Sequence, residues 1–99
     1  MLLYNVTINI DEQFADEWVV WMKTVHIPEV MATGCFVENR LCRIFGEEQG
    51  GRAYAAQYHC PSAEIFDRYQ RDFAPTLQAK TKALYDGKFA VFRTLMEIV

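Results

Sequence analysis

The order of hydrophobic periodicities along the chain is the feature that most constrains its fold. Apolar residues that alternate with polar ones are typical of strands, and apolar residues at spacings of three and four are typical of amphipathic helices. The segments are, in chain order, a strand from about Leu3 to Ile10, a helical run from Asp11, strands from about Phe36 to Phe45 and Arg52 to Cys60, a helical run from Pro61-Ser62, and a strand from Lys88 to about Glu97. The predicted order is therefore βαββαβ.

Capping and breaking residues set the expected ends of the first helical run. Asp11 is a suitable N-cap because its carboxylate can accept a backbone N–H of the first turn. Pro28 has no N–H and disfavours helical geometry at the preceding residue. We therefore expect a kink or break at His26-Ile27, followed by a short helical turn that ends at Gly34.

Similar signals divide the second half of the chain. The polar, glycine-rich stretch Glu47–Gly51 predicts a hairpin connection between two strands. Ser62 is the expected N-cap of the second helical run, Pro75 should interrupt that run, and Asp86-Gly87 should end it after about Tyr85.

A βαββαβ order predicts an α+β protein of the ferredoxin-like type. Right-handed crossovers place both helical runs on one face of a four-stranded antiparallel sheet with strand order 4-1-3-2. Because a chain of 99 residues has little room for a second core, residues 1–99 are expected to form a single domain.

Composition and charge exclude several functional classes. The net charge of −3 argues against a nucleic-acid partner, and no apolar run approaches the roughly 20 residues that span a membrane. We find no signal-peptide pattern and expect a cytoplasmic protein. Its cysteines, Cys35, Cys42 and Cys60, should be reduced thiols, and we expect neither a metal site nor a cofactor.

The sheet face away from the helices is the first candidate site. It is expected to carry Asn5, Thr7, Asn9, Glu38, Arg40, Gln57, His59 and Arg93, together with the apolar residues Ile44, Ala53, Ala55, Phe89, Val91 and Leu95. A half-apolar face favours a homodimer that joins two sheets into a dimeric α+β barrel. Within that barrel, Asn5, Thr7, Arg40, Gln57, His59 and Arg93 are the candidate ligand-binding residues. In the alternative interpretation, the same charges form ion pairs on a solvated or dimer-buried face, for example Glu38 with Arg40 or Arg93.

His26 is the second candidate site residue, because an imidazole can act as a general acid or base near neutral pH. The alternative is a structural histidine, favoured near a helix C-terminus where its cation meets exposed carbonyl groups.

The chain resembles a small bacterial family, domain of unknown function 4286. The resemblance covers essentially the whole chain and lies in Tyr4-Asn5-Val6-Thr7, Trp18-Val19-Val20-Trp21-Met22, His26-Ile27-Pro28-Glu29-Val30, Thr33-Gly34, Gly50-Gly51, Gln57-Tyr58, Tyr69, Phe73-Ala74-Pro75, Lys88-Phe89 and Phe92-Arg93-Thr94. It implies a dimeric α+β barrel and no known activity. At the level of the fold, the chain is similar to cofactor-independent monooxygenases and to ligand-sensing domains of transcription regulators.

Two functional hypotheses follow. In the first, the protein is a non-catalytic dimeric binding or regulatory module, and a polar pocket in its barrel holds a small polar or anionic molecule. Arg93, Arg40 and Gln57 would donate hydrogen bonds, and Arg93 could hold a carboxylate in a bidentate way. In the second, it is a cofactor-independent enzyme of the monooxygenase or isomerase type, with His59 or His26 as the proton acceptor.

Overall fold

The computed structural model describes residues 1–46 and 50–99. Its elements are β1 (Leu2–Asp11), a 3₁₀ turn (Glu12–Phe14), α1 (Ala15–Trp21), a π-helical turn (Met22–His26), α2 (Ile27–Ala32), β2 (Glu38–Ile44), β3 (Gly51–Cys60), α3 (Ala63–Asp72), α4 (Ala74–Tyr85) and β4 (Phe89–Glu97). The predicted βαββαβ order is confirmed. The expected hairpin connection Glu47–Gly51 falls largely on residues 47–49, which lie outside the described residues.

The four strands form one antiparallel sheet in the order β2-β3-β1-β4, which is the predicted order read from the other edge. β1 is central, and its register places Tyr4 opposite Tyr58 and Ile8 opposite Tyr54. Residues directly opposite each other in an antiparallel pair point to the same side of the sheet. We call the side that carries Tyr4, Ile8 and Tyr58 the helix face, since these side chains are buried in the core. The other side, which carries Asn5, Thr7 and Gln57, is the outer face.

We expected a kink or break at His26-Ile27, and the first helical run does not break there but continues through Pro28. As predicted, Asp11 caps the entry, and one of its carboxylate oxygens accepts the N–H of Gln13 at 2.9 Å. A proline ring normally clashes with the carbonyl group four residues earlier. Here the turn widens instead, so that Ile27 donates its N–H to the carbonyl of Met22, five residues back. The chain therefore stays helical from Ala15 to Ala32.

The second helical run has the boundaries that its capping residues predict. The Ser62 hydroxyl accepts the N–H of Ile65 at 3.3 Å and begins α3. Pro75 occupies the first turn of α4, which restarts the helix after Phe73. Gly87 follows α4 with a φ of +76°, a conformation that is costly for residues with a side chain.

Aromatic side chains fill the space between the helices and the helix face of the sheet. Tyr4 meets Phe66 edge to face with ring centroids 4.9 Å apart, and Phe36 meets Tyr69 in the same way at 4.7 Å. Trp18 packs on Tyr54 at 5.1 Å and is 1% exposed. These contacts hold both helical runs against the central strands.

Two expectations about the strands were wrong. β2 is shorter than predicted, and Phe36 precedes it and packs in the core. The register of β4 pairs Val91 with Ile8 and Arg93 with Val6. The residues Phe89, Val91, Arg93 and Leu95 therefore belong to the helix face, and Ala90, Phe92, Thr94 and Met96 belong to the outer face.

None of the helices in the described part of the chain has both the length and the apolar character that crossing a membrane requires.

Candidate functional site

A cavity of about 300 Å³ lies between the helix face of the sheet and the helices. Its apolar lining comes from the sheet, α1, α2 and α4, and its polar residues include one imidazole and one guanidinium. The lining residues are Tyr4, Val6, Ile8, Trp18, Met22, His26, Val30, Ala56, Tyr58, Tyr69, Leu77, Gln78, Thr81, Lys82, Asp86, Gly87, Phe89, Val91 and Arg93. The cavity is thus an apolar and aromatic space with a small number of ionisable groups.

The π-helical turn places His26 at the wall of this cavity. In a regular α-helix, Trp21 and His26 would lie about 140° apart around the axis. In this structure their rings stack with centroids 5.0 Å apart and planes at 23°. Trp21 in turn meets Tyr85 edge to face at 5.6 Å, so the imidazole rests on a packed aromatic pair.

Burial lowers the pKa of His26 from its ordinary value of 6.5. The carboxylate of Glu29 opposes this effect, whereas the charges of Arg93 and Lys80 lower the pKa further. Because a lowered pKa favours the neutral form, His26 presents a proton-accepting nitrogen at neutral pH.

Arg93 and Lys82 are the cationic residues of the cavity lining, and Asp86 is a carboxylate in the same lining. Arg93 lies on edge strand β4 opposite Val6 and is exposed to solvent, and its positive charge lowers the pKa of the nearby Tyr4 phenol against the effect of burial. Among the described residues, no carboxylate lies within ion-pair distance of Arg93. An arginine beside an apolar cavity with no acidic partner is well suited to bind an anionic oxygen.

Three tyrosines add hydroxyl groups to the cavity wall. Burial raises the pKa of Tyr4, Tyr58 and Tyr69, although the nearby charge of Arg93 lowers that of Tyr4 and Tyr69. The three phenols are therefore neutral at physiological pH and can donate hydrogen bonds.

The structure divides the predicted site residues between the two faces of the sheet. Asn5, Thr7, Arg40, Gln57 and His59 share the outer face, as expected. The amide of Gln57 donates to the side-chain oxygen of Asn5 at 3.2 Å, and Asn5 donates to the hydroxyl of Thr7 at 3.0 Å. His59 lies 4.0 Å from the carboxylate of Glu38. Within the described residues, none of these five lines the cavity.

The expected placement of Arg93 beside Asn5 and Thr7 was wrong. Arg93 and His26 line the same cavity, whereas His59 lies on the opposite face of the sheet. The two histidines therefore belong to separate environments.

Tyr4, Tyr58 and Tyr69 were not among the predicted site residues. Their periodicity correctly indicates core positions, and buried aromatic residues usually only fill space. The signal available in the sequence is that several helix-face positions carry tyrosine, whose hydroxyl needs a polar partner, where phenylalanine would be sufficient.

No group of three or more potential metal ligands occurs among the described residues.

A family model described as a domain of unknown function, DUF4286, matches residues 1–99, and the chain belongs to this family. Among curated proteins, no significant match is found.

Solved structures share the fold at low sequence identity. A point mutant of MhuD with two manganese protoporphyrin IX molecules per active site has a TM-score of 0.73 and 17% identity, over 100% of this chain and 95% of that one. A point mutant of SnoaB, a cofactor-independent oxygenase from Streptomyces nogalater, has a TM-score of 0.68 and 13% identity, over 98% and 91%. A dimeric ferredoxin-like protein from an uncultured marine organism has a TM-score of 0.63 and 13% identity, over 100% and 95%. These similarities establish a ferredoxin-like fold for the chain.

Proposed function

We propose that this member of the DUF4286 family is a homodimeric small-molecule-binding protein whose ligand lies between the helices and the helix face of the sheet. The observation that carries the proposal is the cavity of about 300 Å³ with an aromatic lining and one guanidinium without an acidic partner among the described residues. This volume is at the lower end of the range for ligand pockets, which is about 300–1,000 Å³. A molecule of one or two rings would fit.

The lining favours a flat and mostly apolar ligand with one anionic oxygen. Tyr4, Tyr58 and Tyr69 offer ring surfaces and hydroxyl donors, and Arg93 offers the charge. This site replaces the polar pocket that we expected inside a dimer barrel, because Arg93, the strongest charge of that expected pocket, belongs to the helix face.

The outer face is assigned to self-association. Its β4 residues Phe92 and Met96 are 66% and 40% exposed, and Ile44 on β2 is 38% exposed. A second copy that packs sheet against sheet would remove this apolar surface from water. One of the proteins with the same fold is described as dimeric.

The binding proposal is tested by thermal unfolding in the presence of small aromatic acids and phenols. At least one of these compounds should raise the melting temperature of the wild type, and Arg93→Gln should abolish the increase. Arg40→Gln is the matched control, since Arg40 also lies on an edge strand but on the outer face. A melting-temperature increase that survives Arg93→Gln and is lost in Arg40→Gln would contradict the proposed location.

A second candidate function is a cofactor-independent oxygenase or isomerase. The observation that favours it is the neutral imidazole of His26 beside the same cavity as Arg93. A base that removes a proton and a cation that stabilises the resulting oxyanion are the minimum for such chemistry. SnoaB, which shares the fold, is described as a cofactor-independent oxygenase.

The enzyme hypothesis is tested with the compounds that bind. Each is incubated with the protein in D₂O, and carbon-bound deuterium is followed by NMR while dissolved oxygen is followed with an electrode. Deuterium incorporation or oxygen uptake that His26→Gln abolishes and His59→Gln retains would support an enzyme. Ligands that remain unchanged would leave the binding module as the function.

A further inference from the structure

We propose that the ligand of this cavity is a weak acid, a phenol or an enol, which enters as the neutral molecule and is held as its anion after His26 accepts its proton. In this step the O–H bond of the ligand breaks and an N–H bond forms on the imidazole. The electron pair of the broken bond stays on the ligand oxygen, so no oxidant or reductant is needed. The inference rests on the proposed binding function and specifies the ligand class.

The surroundings of His26 leave it available as the proton acceptor. Trp21 covers one face of the imidazole, and His26 itself lines the cavity. The charged groups that act on the imidazole are Glu29 on α2, Lys80 on α4 and Arg93 on β4. Lys80 binds Glu29 at 2.9 Å, so these two charges largely offset each other. Lys82 and Asp86 line the same cavity, and of the three groups that act on the imidazole, Arg93 is the one without a carboxylate partner among the described residues.

Arg93 marks where the anionic oxygen would be held. Arg93 is exposed to solvent, lines the cavity and lies near the Tyr4 hydroxyl. It has no carboxylate partner in the described part of the chain. An anion bound there would lie between the guanidinium of Arg93 and the newly formed imidazolium of His26. Its attraction to both cations would offset the free-energy cost of burying the imidazolium.

The apolar lining favours a weak acid over a carboxylate. A carboxylate is ionised in water at neutral pH and must lose its hydration shell on entering a cavity lined by Val6, Ile8, Met22 and Leu77. A phenol or enol enters with a neutral hydroxyl group, which loses much less hydration. Burial keeps the pKa of His26 low in the free protein, so the proton acceptor is ready when the ligand arrives.

The test uses three probes of similar size: 4-nitrophenol, 4-nitrobenzoate and nitrobenzene. One pH unit below its solution pKa, about 90% of free 4-nitrophenol is the neutral phenol. Binding to the wild-type protein should raise the ratio of phenolate to phenol at least about tenfold, and the visible absorbance of the phenolate reports this change. We expect 4-nitrophenol to bind more tightly than either of the other probes.

Variants identify the proton acceptor. His26→Gln should still bind 4-nitrophenol but should lose the increase in phenolate, whereas His59→Gln should behave like the wild type. Calorimetry in buffers of different ionisation enthalpy checks the same point without a variant. Near neutral pH, 4-nitrobenzoate should take up a proton from the buffer on binding, and 4-nitrophenol below its pKa should exchange almost none.

The outcomes separate this inference from the binding proposal. If 4-nitrophenol binds as the neutral phenol, or if 4-nitrobenzoate binds more tightly, the inference is overturned and the binding function stands. Retention of the phenolate signal in His26→Gln also overturns it, since His26 is then not the acceptor. If none of the three probes binds, both the inference and the proposed binding function are contradicted.

Discussion

The two histidines of the chain show how the environment of a single residue decides what its side chain can do. His26 lines an apolar cavity and stacks on Trp21. His59 lies on the outer face near the carboxylate of Glu38. The same side chain is therefore a half-buried neutral base at one position and a potential ion-pair partner at the other.

The lowered pKa of His26 makes stability depend on pH. In the unfolded chain His26 titrates near its ordinary value of 6.5, and in the folded protein burial moves its pKa below that value. As pH falls, the unfolded chain therefore binds the proton first. The stability that His26 contributes is complete above about pH 6.5 and is lost as pH falls toward the folded-state pKa.

Chemical denaturation between about pH 7.5 and 5 measures this effect. His26→Gln should flatten the decline in the free energy of unfolding, by at most about 1.4 kcal/mol per pH unit. Equal slopes in the wild type and His26→Gln would show that His26 is not held neutral by the fold.

At the scale of elements, the caps and breakers were predicted well from the sequence because each acts locally. Ser62 begins α3 and Pro75 opens α4, as the sequence indicated. The effect of Pro28 on its helix was not predicted correctly. A proline predicts that the regular hydrogen-bond pattern must change, but not whether the helix breaks or widens, and here the π-helical turn keeps the chain helical.

The face of β4 could not be predicted from the sequence. Both alternating sets in this strand contain large apolar residues, such as Val91 in one and Phe92 in the other. Period-two patterning distinguishes the two faces only when one set is polar. The register of β4 on β1 determines the two faces, and it places Arg93 on the helix face and not on the outer face, where we expected it. The sequence therefore predicted the sheet but not which of its faces carries Arg93.

The N-cap of α3 gives a prediction for a single element. The Ser62 hydroxyl satisfies the N–H of Ile65 at 3.3 Å, and Ser62→Ala leaves this donor without its partner. The free energy of unfolding should fall by about 1 kcal/mol. Ser62→Thr keeps the hydroxyl and should recover most of the loss in the same denaturation experiment. If alanine and threonine have the same effect, the hydroxyl is not the stabilising group.

At the scale of the whole molecule, the two faces of the sheet have separate roles in this account. The helix face holds the cavity, and the outer face is the one that we propose packs against a second copy. This division explains why polar residues such as Asn5 and Gln57 hydrogen-bond to each other beside exposed apolar ones.

Sedimentation velocity tests the role of the outer face. The wild type should be a dimer at micromolar concentration, and Phe92→Asp should raise the dissociation constant at least about tenfold by placing a charge in the apolar contact. Val20→Asp is the control, because Val20 is 60% exposed on α1, away from the outer face. A wild type that sediments only as a monomer, or a Phe92→Asp variant that remains dimeric, would argue against this interface.

NMR of the two imidazoles during a titration with 4-nitrophenol tests directly whether the ligand lies between the helices and the sheet. The signals are assigned with His26→Gln and His59→Gln. If the ligand lies there, the His26 signals should shift and the pKa of His26 should rise on binding, because an anion then lies beside the imidazole, while the His59 signals should not shift. A titration in which the His59 signals shift and the His26 signals do not would place the ligand on the outer face, contrary to the proposed site.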